Sequence, residues 1–138
     1  MAVTKVLLVE DDPDDRELFV TFFEDRNDII LLPSVGNGVE LIEYLESAVN
    51  DDEKPDLIIL DHNMPKMNGK QTLEYLMKHE QWSRIPAVIY STYTDTNLIA
   101  DCKKLNARVV ASKPIDGDGY NKMMNDFLEA LKYNRVTR

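Results

Sequence analysis

The chain has 138 residues with a 43% apolar share, which fits one compact domain with a true core and excludes a wholly disordered chain. Its 16 basic residues against 25 acidic give a formal charge of −9, which argues against a nucleic-acid partner because phosphate backbones are held by Lys and Arg. The single cysteine, Cys102, excludes an internal disulfide; with no apolar run of membrane-spanning length and no basic-then-apolar leader, a cytoplasmic protein without a membrane partner is expected.

Along the chain, short continuous apolar runs alternate with amphipathic stretches. The runs are 6–9, 29–32, 57–60, 87–90 and 109–111. Continuous rather than alternating apolar character is how a strand reads when both its faces are covered. After the first run, Asp12-Pro13 signals an N-cap with proline in the first turn, and Leu18, Phe19, Phe22 and Phe23 share a helical face. After the second, Leu41, Ile42, Leu45 and Val49 do the same. Lys54-Pro55-Asp56 breaks the chain before the third run, and Gly69 precedes a helix carrying Leu73, Leu76 and Met77. Arg84-Ile85-Pro86 precedes the fourth run; Thr94 or Asp95 caps a helix with Leu98, Ile99, Cys102 and Leu105 on its inner face. The fifth run leads to a helix with Met123, Met124, Phe127, Leu128 and Leu131 inward, and Lys132, Arg135 and Arg138 suit its C-terminal end. Cys102 reads as a small core residue and His79 as a helix-end residue. Five βα units in sequence predict an α/β domain with an open parallel sheet and helices on both faces. The expected boundaries are one domain over 1–138 with its core at about 4–132, leaving no room for an output domain.

In such a sheet, ligands bind beyond the carboxyl ends of the strands. The residues there are Glu10, Asp11 and Asp12 after the first run, Asp61 after the third, Ser91 and Thr92 after the fourth, and Ser112, Lys113 and Pro114 after the fifth. Two carboxylates about 4 Å apart repel by about 4 kcal/mol at an effective dielectric of 20. Lys113 offsets part of this, and a hard divalent cation with oxygen ligands, Mg²⁺ foremost, offsets more. A carboxylate nucleophile beside hydroxyl and ammonium donors suits phosphoryl transfer.

The segments 7–12, 61–69 (Asp-His-Asn-Met-Pro-Lys-Met-Asn-Gly) and Lys113-Pro114 resemble the signature of CheY-like response-regulator receiver domains over nearly the whole chain. That resemblance implies a flavodoxin-like (βα)5 doubly wound sheet of order 2-1-3-4-5. It implies that Asp61 accepts a phosphoryl group, that Glu10 and Asp11 hold Mg²⁺ with Asp61 and the backbone carbonyl of Asn63, and that Ser91 and Lys113 bind the phosphoryl group. It also implies a cis Lys113-Pro114 bond. Asp12 caps the first helix or acts in the metal's outer shell, and Thr92 supports the site. A sensor histidine kinase or histidine phosphotransfer protein is the implied donor, and a downstream protein the target. Apolar residues around the fourth and fifth helices offer a partner or homodimer surface.

One position departs from the pattern. Relatives carry an aromatic residue three positions before the lysine, where this chain has Val110. The switch then uses Tyr90, Tyr93 or backbone shifts alone; Tyr93 is also placed to shield an aspartyl phosphate from water. His62, beside Asp61, reads as a solvated loop residue or a modest influence on phosphoryl lifetime. Val110 is the sole support for the alternative of a pseudo-receiver, a constitutive protein-interaction module without phosphorylation. A haloacid dehalogenase-type phosphatase also uses an Asp nucleophile, but after its first strand and with a cap domain. Apart from its own phosphorylation and dephosphorylation, the chain is not expected to be an enzyme.

Overall fold

The computed structural model describes residues 3–136, with side chains through residue 132. Five parallel strands, β1 (Thr4–Val9), β2 (Ile29–Leu31), β3 (Leu57–Asp61), β4 (Ala87–Ser91) and β5 (Val110–Ser112), form one sheet in the order β2-β1-β3-β4-β5. The helices are α1 (Pro13–Phe23), α2 (Gly38–Ser47), α3 (Gly69–Met77), α4 (Thr96–Lys104) and α5 (Gly117–Val136), with 3₁₀ turns at Asp51–Glu53 and Trp82–Arg84. Strand order reverses at β1, so a crevice opens beyond the carboxyl ends of β1 and β3.

The continuous apolar runs are explained by two core layers. Val6, Leu8, Leu57, Ile59, Val88 and Tyr90 pack with Phe19 and Phe23 of α1 and with Tyr120, Met124 and Phe127 of α5. The alternate residues, Leu7, Val9, Ile58, Leu60 and Ile89, pack with Leu41, Leu73, Leu76 and Cys102. Cys102 is thus a buried core thiol, its pKa raised by burial.

Helix starts follow their capping chemistry. Asp12, Asn37, Asn68 and Asp95 each accept a backbone N–H of the first turn, and Asn68 forms a reciprocal capping box with Gln71. Asp95 rather than Thr94 is therefore the cap of α4, and Gly69 is the first residue of α3 rather than the one before it.

Periodicity misses where it carries no information about helix ends. Val49, expected on the inner face of α2, is 75% exposed because the helix stops at Ser47. Leu18 is exposed, since α1 buries the stripe of Phe19 and Phe23. His79, just past the end of α3 as expected, accepts the Trp82 amide through Nδ1 and stacks on its ring. The fifth helix runs on to Val136, past the expected end of the core at residue 132. Arg138 and the side chain of Arg135, expected to complement that end, lie outside the described residues.

Gly69 sets how closely α3 approaches the site. A Cβ at this position would stand 2.9 Å from the Asp61 carbonyl oxygen and 2.8 Å from His62 Cα, both backbone atoms that cannot swing away. Gly69→Ala is expected to destabilise the domain by about 1–3 kcal/mol, the usual cost of overpacking. Urea unfolding measures it, and an unchanged midpoint would contradict this close approach.

Candidate phosphoryl and metal site

The ends of four strands meet in the crevice. Glu10 follows β1, Asp61 and Ser91 close β3 and β4, and all three are buried; Lys113 follows β5 and is half-buried. One oxygen each of Glu10, Asp11 and Asp61 lie within 4.8 Å of one another. Lys113 Nζ reaches into this group, 3.1 Å from Glu10 Oε1 and 3.3 Å from Asp61 Oδ1. It also donates to Asp15 Oδ2 at 3.0 Å. Asp15 was not singled out from sequence, where it reads as one more acid in a helical first turn. Nothing local in the sequence separates it from Asp14; the docking of α1, which brings it to Lys113 after β5, does so.

Asp12 is the N-cap of α1 and accepts the Asp14 amide at 2.9 Å. Its own amide donates to Glu10 Oε2 at 3.2 Å, so the cap and the pocket share a backbone link. Arg16 adds a second brace by donating through Nε to the Glu10 carbonyl.

Asn63 acts through its side chain as well as its backbone. Its amide donates to Asp61 Oδ1 at 3.0 Å, while its Oδ1 accepts from Ser91 Oγ at 2.9 Å, the Thr92 amide at 3.0 Å and Thr92 Oγ1 at 3.2 Å. Ser91 Oγ also stands 2.7 Å from the Tyr93 carbonyl, which competes for its one proton. The Tyr93 ring itself is 73% exposed.

One sequence expectation changes here. The described residues contain no cis peptide bond, so Lys113-Pro114 is trans; Lys113 points inward because three carboxylates draw it there. Tyr90 does not occupy the place of an aromatic at 110. Its side chain lies in the α1/α5 layer, whereas Val110 packs against the layer of α2, α3 and α4 on the other face of the sheet.

The electrostatics follow from burial. Burial, then the neighbouring Asp61, push the Glu10 carboxyl up to about 7, against the opposing hydrogen bond from Tyr90. Burial works against the Lys113 charge, but the bond to Asp15 and the charges of Asp61 and Glu10 outweigh it and raise its pKa. Burial, then Lys70, lower the pKa of His62, whose Nδ1 accepts the Lys70 amide. His62 is therefore a half-buried, neutral-leaning group tied to the start of α3, not a freely solvated one.

Asp61 Oδ2 is buried and has no hydrogen-bond partner among the described residues. An orphaned carboxylate oxygen costs about 1–3 kcal/mol or more when charged. Beside Glu10 and Asp11 it offers the hard oxygen donor that Mg²⁺ or a similar cation takes.

Comparison with known proteins identifies the family. Residues 6–125 match the family model described as the response regulator receiver domain. This chain belongs to the response-regulator receiver family. Among relatives of this receiver domain, PilH of Pseudomonas aeruginosa is 28% identical over 91% of the chain and 98% of its own length. The protein-glutamate methylesterase/protein-glutamine glutaminase of Bacillus licheniformis is 30% identical over 80% of the chain. The receiver spans only 29% of that larger protein. The phosphorylated cyanobacterial phytochrome response regulator RcpA is 25% identical, with 96% of this chain and 91% of that one covered at a TM-score of 0.74. The fold is the CheY-like, flavodoxin-type sheet expected from sequence. No helix among the described residues is long and apolar enough to cross a membrane.

The raised Glu10 pKa fixes a pH dependence. Between the ordinary carboxyl value of 4.5 and about 7 the folded receiver holds a proton that the unfolded chain has released. Stability therefore falls as pH rises through that window. With a chelator present, urea midpoints are expected to drop from pH 4.5 to 7, and Asp61→Asn to flatten the drop and raise the midpoint at pH 7. A midpoint that rises with pH, or an Asp61→Asn protein no more stable than wild type, would contradict the repulsion.

Proposed function

We propose that this receiver accepts a phosphoryl group on Asp61 from a phosphohistidine donor, with Mg²⁺ bound, and thereby changes its affinity for a protein partner. The observation that carries this reading is the buried, unpartnered Asp61 Oδ2 facing two further carboxylates, with Lys113 on its other oxygen. The phosphorylated state named for RcpA, a relative of comparable size, is consistent with it.

Glu10, Asp11 and Asp61 would hold the ion, together with the Asn63 carbonyl. Bound there, Mg²⁺ supplies charge neutralisation for the phosphoryl oxygens. The chain's own groups do the rest. An Asp61 oxygen attacks phosphorus; the P–N bond to the donor imidazole breaks as the P–O bond forms, and the imidazole leaves with its electron pair. Lys113, kept protonated by its acidic neighbours, meets the negative phosphoryl oxygens without first acquiring a proton.

Ser91 links the chemistry to the output. Its hydroxyl is now committed to Asn63 Oδ1 and the Tyr93 carbonyl. Turning toward a phosphoryl group on Asp61 breaks the Tyr93 bond and frees the segment between β4 and α4. Val110, partly buried and lacking an aromatic lever, leaves this backbone path as the route of the change. Phosphorylation adds about −1.5 to −2 charges, enough to bias a two-state element.

The partners that follow are a sensor histidine kinase or phosphotransfer protein and a downstream protein, in a cytoplasmic setting that suits the free buried thiol of Cys102. A constitutive interaction module gains nothing from the complete acidic set with Lys113, so Val110 stands alone in its favour.

Intact mass after incubation with acetyl phosphate tests the chemistry. One phosphoryl group is expected on wild type with Mg²⁺, none with a chelator, and none on Asp61→Asn. An adduct on Asp61→Asn, or none on wild type under any condition, would sink the proposal. Once phosphorylated, Tyr93→Ala is expected to lose the group faster than wild type if the exposed ring shields it; equal decay rates would show that it does not.

A further inference from the structure

Tyr90 is the penultimate residue of β4, beside Asp61 of the central strand β3, with which it pairs in register, and it is wholly buried. A buried phenol needs a partner for its proton. Tyr90 gives it to Glu10 Oε1 at 2.6 Å, across 80 residues of sequence. The ring is clamped from both sides: Phe19 of α1 meets it edge-on at 6.4 Å, and Lys113 Nζ stands over it at 5.0 Å.

Glu10 is thus held at three points, by the Tyr90 hydroxyl, by Lys113 and by the Asp12 amide on Oε2. Of the two donors on Oε1, Lys113 is shared with Asp15 and Asp61 on a flexible stem. Tyr90 has two rotatable bonds, a packed ring and a single acceptor. It is therefore the fixed donor, and it stays with Glu10 when Lys113 turns toward a phosphoryl group.

We propose that Tyr90 is a positioning residue for divalent-cation binding, its hydroxyl fixing the Glu10 carboxylate in the orientation that faces the ion. This rests on the metal reading of Glu10, Asp11 and Asp61. It reaches further by giving the sheet's α1/α5 core a direct hold on the acidic pocket through a side chain that touches neither ion nor phosphoryl group. A tyrosine hydroxyl of purely structural use would affect unfolding and leave cation affinity alone.

The test is Mg²⁺ titration by calorimetry of wild type, Tyr90→Phe, Glu10→Gln and the double variant, with metal-free melting temperatures recorded alongside. Removing a residue that orients a metal ligand weakens affinity by about 10-fold or more. Tyr90→Phe is expected to show that loss, and in the Glu10→Gln background to add none, because it acts through Glu10. An unchanged affinity in Tyr90→Phe, or an equal loss in both backgrounds, overturns the proposal. Should Tyr90→Phe fail to fold, wild type carries the test by NMR. Saturating Mg²⁺ is expected to shift the Tyr90 ring resonances and leave those of Tyr44 in place, and an unmoved Tyr90 overturns it. Wild type that binds no Mg²⁺ at all overturns the metal reading itself, whereas wild-type binding with an indifferent Tyr90→Phe defeats this inference alone.

Discussion

Lys113 stands among Glu10, Asp15 and Asp61, one ammonium against three carboxylates, with Asp11 adding a fourth at the rim. One positive charge cannot neutralise this set, and like charges about 4 Å apart cost about 4 kcal/mol per pair at an effective dielectric of 20. The excess is tolerated because the framework beneath it is rigid. The residues of β3 and the last four of β1 are buried, and their neighbours on both faces are large apolar side chains. The acids from Asp11 to Asp15 also lie at the N-terminal end of α1, where the helix dipole favours negative charge. A sheet with one polar face or a looser core would relax away from such a cluster.

Because the site sits where two cores meet, its groups report to different layers. Tyr90 ties Glu10 to the aromatic packing of α1 and α5, in which Phe19, Phe23 and Tyr120 contact one another edge-on. Ser91 ties Asp61's neighbour Asn63 to the segment leading into α4. Lys70 pairs with Asp101, linking α3 to α4 at 3.2 Å, so a shift of the β4–α4 segment meets resistance from α3. In the proposed switch, a change of charge at Asp61 acts first on hydrogen bonds that lead to the α4 side, while the α1/α5 side stays braced. This asymmetry follows from which residue of β4 faces which layer: Ile89 and Tyr90 are neighbours in sequence and lie on opposite faces.

The strands were legible because burial on both faces of the inner ones writes a continuous apolar run, while their order came with the family resemblance. The cap Asp12 was legible because its chemistry is local, and at α4 the same chemistry left Thr94 and Asp95 both open. Long-range partnerships were not legible. Asp15 looks identical to Asp14 in sequence, and only the docking of α1 decides which of them meets Lys113. Asn63 was read for its carbonyl, while its side chain is the acceptor shared by Ser91 and Thr92, a role set by how the β3–α3 and β4–α4 loops abut. Tyr90 reads from sequence as a strand residue and a candidate switch aromatic, and nothing local in it reveals that its hydroxyl reaches Glu10. The trans geometry before Pro114 belongs to the same class, because the acids that orient Lys113 come from β1, α1 and β3.

The cost of Asp61 favours the proposed phosphoryl site over an idle one. Its Oδ1 is satisfied by the Asn63 amide and Lys113, but Oδ2 is buried without a donor beside two other carboxylates. An asparagine there would keep the shape, remove a charge and bring an amide donor toward Glu10. For a domain used solely as a docking surface that exchange is a gain in stability with no loss. The acid is an advantage only where a cation or a phosphoryl group takes up the unpaired oxygen, since binding then recovers the free energy that the empty pocket withholds. In the proposed function, the free energy withheld at the unpaired Asp61 oxygen becomes part of the binding of its ligand, while Lys113 stays paired to Asp61 and Tyr90 to Glu10.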